Sequence, residues 1–94
     1  MQEITKIIYS NNFFNVIKVE NNLQLDNILD EREAVIMILL EGKIYFYNER
    51  ILKEKQYIIS KVENVLKGIK ILSNNYKMII ITLKESFLKE MGIF

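Results

Sequence analysis

Short segments of alternating apolar and polar residues, separated by asparagine pairs, predict strands along most of this chain. The alternation is cleanest over Phe14–Glu20, where odd-numbered and even-numbered residues fall on opposite faces. Asparagine favours turns because it tolerates the left-handed backbone conformation. The predicted strands are Ile4–Tyr9, Phe14–Glu20, Leu23–Leu29, Ala34–Leu40, Ile44–Tyr47 and Tyr76–Leu83.

The strongest local signal for strand pairing lies around Gly42. Ala34–Leu40 is apolar on both faces, which indicates a central, covered strand. A tight connection centred on Gly42 follows, and Ile44–Tyr47 then provides a returning arm. We therefore expect a β-hairpin between these two segments.

The end of the chain changes from strand to helix periodicity. Apolar residues recur at helical spacing after the last strand, which predicts a short helix over Lys84–Met91. Thr82 and Glu85 fit a capping box, and Gly92 stands where a C-terminal cap is expected.

The segment from residue 51 to residue 72 supports two interpretations. Its apolar spacing fits an amphipathic helix, with Ser60 and Glu63 as a second capping box. Gly68 would cost about 1 kcal/mol inside that helix, and Tyr57–Ile59 is typical of a strand. Periodicity alone favours a helix over about residues 51–72, which would make the fold α+β.

Composition narrows the classes of function. The chain has 94 residues, half of them apolar, which allows one globular domain. Its net charge of +1 argues against a dedicated nucleic-acid-binding surface. It has no histidine and no cysteine, so imidazole and thiolate chemistry are excluded and any metal site would need oxygen ligands alone.

The sequence also bears on cellular location. The N-terminus lacks the basic flank and apolar stretch of a signal peptide. The longest apolar run, Ala34–Leu40, is far shorter than the ~20 residues that a membrane-spanning helix needs. We therefore expect a soluble, cytoplasmic protein without a membrane partner.

Three segments, Leu39–Tyr47, Ile51–Ser60 and Tyr76–Gly92, follow the pattern of one known family. Through them the chain, from about Ala34 to Phe94, resembles the small cupin-like barrel at the N-terminus of AraC-type transcription regulators. In that family a strand ends in Leu-Glu-Gly, as it does here at Gly42. The resemblance implies a mostly-β cupin-like barrel (a double-stranded β-helix or jelly roll) over about residues 1–83, followed by the helix over about 84–91, in one domain of residues 1–94.

The metal ligands of the cupin pattern are missing from this sequence. That pattern has two histidines and a glutamate before the glycine, and a turn glycine, a proline and a histidine in a second motif. The matching positions here are Leu29, Glu31 and Val35, then Lys55, Val62 and Leu66. The resemblance therefore implies a barrel with no metal and no other cofactor, and a protein that is not an enzyme.

The resemblance also implies a ligand-sensing role. By the cupin register, Val35, Met37, Leu39 and Phe46 face the barrel interior, where they would contact a small apolar ligand. The alternative is that these side chains only fill the core, which dense packing favours in a barrel this small.

The terminal helix is the candidate dimer contact. Phe87, Leu88 and Met91 make the chain end unusually apolar, so the barrel or a second copy must cover them. Helices after the barrel commonly form the dimer contact in AraC-type proteins, which implies a homodimer here. DNA would be reached only indirectly, through a domain not present in this chain. The alternative is a stand-alone small interaction protein of a phage, plasmid or bacterium.

Overall fold

Alternating apolar residues form strands over much of the part that the computed structural model describes, residues 2–46 and 49–92. The strands are β1 (Ile4–Ser10), β2 (Phe14–Glu20), β3 (Ala34–Glu41), β4 (Ile44–Tyr45), β5 (Ile51–Leu52), β6 (Tyr57–Lys61), β7 (Lys70–Ile71) and β8 (Lys77–Leu83). The helical segments are a 3₁₀ turn (Leu25–Asn27), α1 (Val62–Leu66) and α2 (Glu85–Glu90). None of these helices is long and apolar enough to cross a membrane.

The strands form two antiparallel sheets around one core. The larger sheet has the order β1-β2-β8-β3-β6, and the smaller has the order β5-β4-β7. Apolar side chains from both sheets, such as Met37 and Ile80 from the larger and Ile44 and Leu52 from the smaller, join in one buried cluster. The mostly-β class implied by the resemblance is thus confirmed.

The strand register separates the larger sheet into an inner and an outer face. Residues directly opposite each other on paired strands share a face, and successive residues alternate between faces. One inner row consists of Ile17, Ile80, Met37 and Ile58. All four of these side chains are at most 7% exposed, so the inner face forms the wall of the core.

The predicted hairpin at Gly42 is wrong. Strand β3 pairs with β6 and β8 in the larger sheet, whereas β4 pairs with β5 and β7 in the smaller one. Gly42 has φ +103° and turns the chain from one sheet into the other. A glycine turn between two apolar segments indicates only that the chain changes direction. Which strand each segment pairs with depends on how the two sheets pack. Tyr47, the end of the predicted returning arm, lies outside the described residues.

Two further expectations for single elements are wrong. Leu23–Leu29 is not a strand, because it folds into the 3₁₀ turn and buries Leu25 and Leu29 against the core. The helix considered for residues 51–72 is limited to α1, and β5, β6 and β7 occupy most of that range. Helix α1 begins after Lys61 without a side-chain cap, so Ser60 does not form the second capping box.

The terminal helix is confirmed, with a different start. Helix α2 covers Glu85–Glu90, and its N-cap residue is Lys84 without a side-chain hydrogen bond. Thr82 belongs to β8 and is buried, so the predicted capping box does not form. Gly92 does end the helix, with φ +72° and its N–H donating to the Lys89 carbonyl at 3.1 Å.

Candidate functional site

The barrel interior holds the four side chains for which ligand contact is expected. Val35, Met37 and Leu39 have no exposed surface, and Phe46 is 3% exposed. They belong to the continuous cluster of buried side chains that joins the two sheets. Because such cores are close-packed, a ligand among these residues would have to displace neighbours. Their contact with a ligand therefore stays a prediction, and packing accounts for their burial.

Thr82 brings a polar group into this apolar interior. Its side chain is 1% exposed and lies on the inner face between Asn15 and Val35. Within residues 2–46 and 49–92, no group forms a hydrogen bond with its hydroxyl. A buried hydroxyl without a partner costs about 1–3 kcal/mol. Thr82 is therefore the interior position where a polar partner would add a hydrogen bond without breaking one.

Tyr76 fastens the segment after β2 to the start of β8. Its hydroxyl donates to the Asn22 carbonyl. Its backbone N–H donates to Asn21 Oδ1 at 2.9 Å, and the Asn21 N–H donates to the Tyr76 carbonyl at 3.2 Å. Asn21 has φ +57°, a conformation that asparagine tolerates better than most residues. These bonds fix where the following residues, 22–26, lie.

Burial of Tyr76 makes the stability of this attachment depend on pH. Burial raises the pKa of the Tyr76 phenol from its ordinary value of 10.0 to about 12. The folded state thus holds the proton more tightly than the unfolded state. The resulting contribution to stability is complete below pH 10 and is lost as the pH rises from about 10 to about 12.

We expect Tyr76→Phe to lower the free energy of unfolding by about 1 kcal/mol at neutral pH, because the Asn22 carbonyl loses its donor. The variant should also lose less stability than the wild type between pH 10 and pH 12. Urea unfolding at pH 7, 10, 11 and 12 measures both effects. Tyr57→Phe, at a 59% exposed tyrosine, is the matched control. Equal pH dependence in the wild type and Tyr76→Phe would contradict the assignment.

A cleft opens beside this attachment and is the candidate binding site. We call it the lateral cleft. It has a volume of about 480 Å³, within the range of roughly 300–1,000 Å³ that is common for ligand sites. Its lining residues are Asn22, Leu23, Leu25, Asp26, Leu66, Ile69, Lys70 and Ile71.

The two sides of the lateral cleft come from distant parts of the chain. One side is the segment held by Tyr76, and the other runs from the end of α1 through β7. Leu25 is 4% exposed and belongs to the core cluster, so the cleft reaches the core. Asp26 and Lys70 bring one charge of each sign to its lining. The arrangement suits a small, mainly apolar molecule with a polar group.

The sequence did not single out the lateral cleft. Its two groups of residues are at least forty positions apart in the chain, and only the topology brings them together. The one available signal was Leu23, a leucine directly after the turn-forming Asn21 and Asn22 and 72% exposed.

The three candidate dimer residues of the terminal helix lie in different environments. Leu88 is 1% exposed, so its own chain already covers it. The Phe87 ring packs against Phe13 with 5.6 Å between centroids. Met91 is 61% exposed. The dimer contact of this helix stays a prediction, and Met91 is the member of the set whose side chain is mostly accessible.

The acidic segment before β3 is occupied by local contacts. Arg32 donates to both carboxylate oxygens of Asp30, at 3.1 and 2.8 Å, which lowers the Asp30 pKa to about 2. Arg32 also pairs with Glu85 of α2 at 3.6 Å. Among the described residues, no three acidic side chains come together in a way that could hold a metal ion.

Most positions that match cupin metal ligands carry apolar side chains of the core instead. Leu29 and Val35 are at most 7% exposed and belong to the core cluster, Leu66 packs against that cluster, and Glu31 is exposed. At the three apolar positions the chain contributes packing.

Comparison with known proteins gives the fold. No family model matches the chain, and no curated protein matches it. Among solved structures, the cupin domain of Schizosaccharomyces pombe Cnp3 is similar over 99% of this chain and 69% of its own length, with 15% identity and a TM-score of 0.64. A protein from Shewanella frigidimarina that contains a cupin-2 domain is similar over 86% of this chain and 80% of its own, with 17% identity and a TM-score of 0.54. These likenesses show a cupin fold.

Proposed function

We propose that this chain is a non-catalytic ligand-sensing and dimerisation domain, of the kind that precedes the DNA-binding helices of AraC-type transcription regulators. The cupin fold supports the barrel part of this proposal. The observation that carries the sensing part is the lateral cleft, which has apolar and polar lining residues and reaches the core through Leu25. DNA would be bound by another domain.

The expected ligand follows from the lining of the cleft. Leu23, Leu66 and Ile69 offer apolar contact to the body of a small molecule. Lys70 can pair with a carboxylate, and Asp26 can accept hydrogen bonds from hydroxyl or amino groups. We therefore expect a small apolar ligand with one or two polar groups.

Ligand binding at this cleft can influence distant strands. A molecule that contacts both sides of the cleft stabilises the conformations in which the distance between the two sides matches the size of the molecule. One side is tied by Tyr76 to β8, the middle strand of the larger sheet. The other side includes β7, which pairs with β4 in the smaller sheet. Both sheets thus respond to occupation of the cleft.

The sensing role predicts a ligand-dependent melting temperature that depends on Leu23. We expect a panel of fatty acids, aromatic acids and sugars to contain a compound that stabilises the wild type. At a hundred times its Kd, such a compound adds about 2.7 kcal/mol, which raises Tm by roughly 10 °C or more in a domain of this size.

Leu23→Asp should remove at least half of that shift in Tm, because it places a charge on an apolar wall of the cleft. Leu72→Asp is the matched control, since Leu72 is 50% exposed and does not line the cleft. Differential scanning fluorimetry measures both variants. A panel without any stabilising compound would overturn the sensing role, and an undiminished shift in Leu23→Asp would overturn the lateral cleft as the binding site.

A second candidate is a stand-alone protein that acts by protein–protein binding. The observation that favours it is the apolar outer face of the larger sheet, which offers more surface to a protein than to a small molecule.

A further inference from the structure

The central row of the outer face of the larger sheet is apolar across all five strands. The register places one residue of each strand in a continuous row of neighbours. This central row consists of Tyr9, Val16, Ile81, Ile36 and Ile59. In the next row, β8, β3 and β6 contribute Ile79, Ile38 and Tyr57, whereas β1 and β2 contribute Lys6 and Lys18. Antiparallel sheets that face water on one side carry polar residues there, so this face has the composition of a covered one.

The ends of the central row are open to solvent. Tyr9 on β1 is 54% exposed and Ile59 on β6 is 66% exposed. Tyr57, beside Ile59 on the same strand, is 59% exposed. Contiguous apolar patches of this kind on a soluble chain mark interaction sites.

Charged residues of this face border its apolar residues, with Lys6 and Lys18 beside Ile79 on the side of β1 and β2. At one end, Glu20, Lys77 and Glu41 form a row of neighbours, with Lys77 and Glu41 3.6 Å apart. At the other end, Lys61 lies beside Ala34. An apolar centre with a charged periphery is the usual anatomy of a protein–protein interface.

The face is large enough for a stable dimer. Five strands about 4.8 Å apart and rows about 6.6 Å apart give a face roughly 24 Å wide and 20 Å long. Its flat footprint is then about 500 Å², and the relief of the side chains increases the accessible area. Specific interfaces bury about 600–1,000 Å² on each partner, so the whole face, with its periphery, reaches the lower part of that range.

We propose that a second copy of this chain packs its outer face against this one, sheet on sheet. Aligned sheets pack with their strands within about 30° of each other. A two-fold axis across the strands lays the Glu20 and Glu41 end of one copy over the Lys61 end of the other. Glu20 and Glu41 are already paired within each copy, with Lys18 at 3.4 Å and Lys77 at 3.6 Å, so the fit between two copies depends on the apolar rows and their area. The proposed function requires a dimer, and this proposal says which surface forms it. The proposal therefore rests on the dimerisation part of the proposed function.

A lysine in the central row tests the surface. Ile59→Lys would place one charge per copy at the end of the apolar central row, where the proposed dimer covers it, and we expect the dimer Kd to rise at least about thirtyfold. Ile51→Lys is the matched control, because Ile51 is also a strand isoleucine, is 44% exposed and lies in the smaller sheet. Light scattering across a dilution series measures the mass against that of the 11.2 kDa chain.

Each outcome supports or overturns the surface. A dimeric wild type, a dimeric Ile51→Lys and a monomeric Ile59→Lys with unchanged circular dichroism support it. If Ile59→Lys does not fold, Tyr9→Lys at the other end of the row replaces it with the same expectation. A monomeric wild type at high concentration overturns both the surface and the dimerisation part of the proposed function.

A dimer that survives the lysine substitution in the central row overturns the surface but leaves dimerisation in place. Met91→Lys then locates the contact, since loss of the dimer in that variant would assign it to the end of α2. If Ile51→Lys dissociates the dimer as well as Ile59→Lys, the larger sheet is not specifically involved and the proposed surface is overturned.

Discussion

Gly42→Ala is expected to lower the free energy of unfolding by about 3–5 kcal/mol. An added Cβ would lie 2.6 Å from Ser73 Oγ, 2.7 Å from the Asn75 carbonyl oxygen and 2.8 Å from Tyr76 Cβ. Two of these three atoms belong to backbone or to a buried side chain, so they cannot move aside cheaply. The φ of +103° at Gly42 adds backbone strain for any residue with a side chain.

The same substitution would break a network that holds the turn. Ser73 Oγ accepts a hydrogen bond from the Lys43 N–H at 3.0 Å and donates to the Asn75 carbonyl at 2.7 Å. Displacing this hydroxyl removes both bonds at once. The passage from the larger to the smaller sheet then loses its fixed geometry, and we expect β4 to lose its pairing first.

A comparison with Gly92→Ala separates the effect of backbone strain from the effect of steric crowding at Gly42. Gly92 also has a left-handed backbone, with φ +72°, but an added Cβ would meet no atom within 4 Å. Its alanine variant should lose only about 1 kcal/mol. Urea unfolding of both variants gives the comparison. Similar losses at the two glycines would show that the close approach of the 73–76 segment does not constrain Gly42.

Met37→Ala is expected to lower the free energy of unfolding by about 2–5 kcal/mol. Met37 has no exposed surface and lies on the inner face between Ile80 and Ile58. Its loss leaves a cavity that rigid neighbouring strands cannot fill. Met91→Ala, at a 61% exposed methionine, is the matched control and should change stability by less than about 0.5 kcal/mol.

The comparison of Met37→Ala with Met91→Ala also tests whether the barrel interior is closely packed or contains open space. A packed core predicts the full loss of stability and a cavity that an added small apolar molecule can partly restore. Thermal unfolding of Met37→Ala with and without benzene measures this. A loss below about 1 kcal/mol would instead indicate that the wild-type interior already contains open space around Met37.

Elements with a strict two-residue period could be predicted from the sequence. In β2, the residues of one face are buried at Ile17 and Val19, while Lys18 between them points outward. In β8, Met78 and Ile80 are buried by the same alternation. This pattern is local, because each residue's face follows from its neighbours in the chain.

Strand partners could not be predicted in the same way. The partners of β3 lie about 20 and 40 residues further along the chain, so no local pattern encodes them. Between residues 51 and 72, short strands with a one-turn helix between them place apolar residues at intervals that resemble a helix. The lateral cleft could not be predicted from the sequence for the same reason, since its two sides meet only after both sheets have formed.

The sequence pattern indicated some residues of the outer face but did not indicate that they form an exposed surface. The apolar residues on both faces of Ala34–Leu40 predicted a strand covered on both sides. The inner side is covered by the core, as Val35 and Met37 show. Ile36 and Ile38 point to the outer face, and the proposed dimer supplies their cover.

The position of β8 decides when this domain can be completed during its synthesis on the ribosome. Strand β8 lies in the middle of the larger sheet, between β2 and β3, although it is the last strand in the chain. Until Leu83 has emerged, β2 and β3 have no common neighbour, and their unpaired backbone edges and apolar side chains remain accessible to chaperones. The sheet therefore closes late, through contacts between distant residues, and such topologies fold slowly.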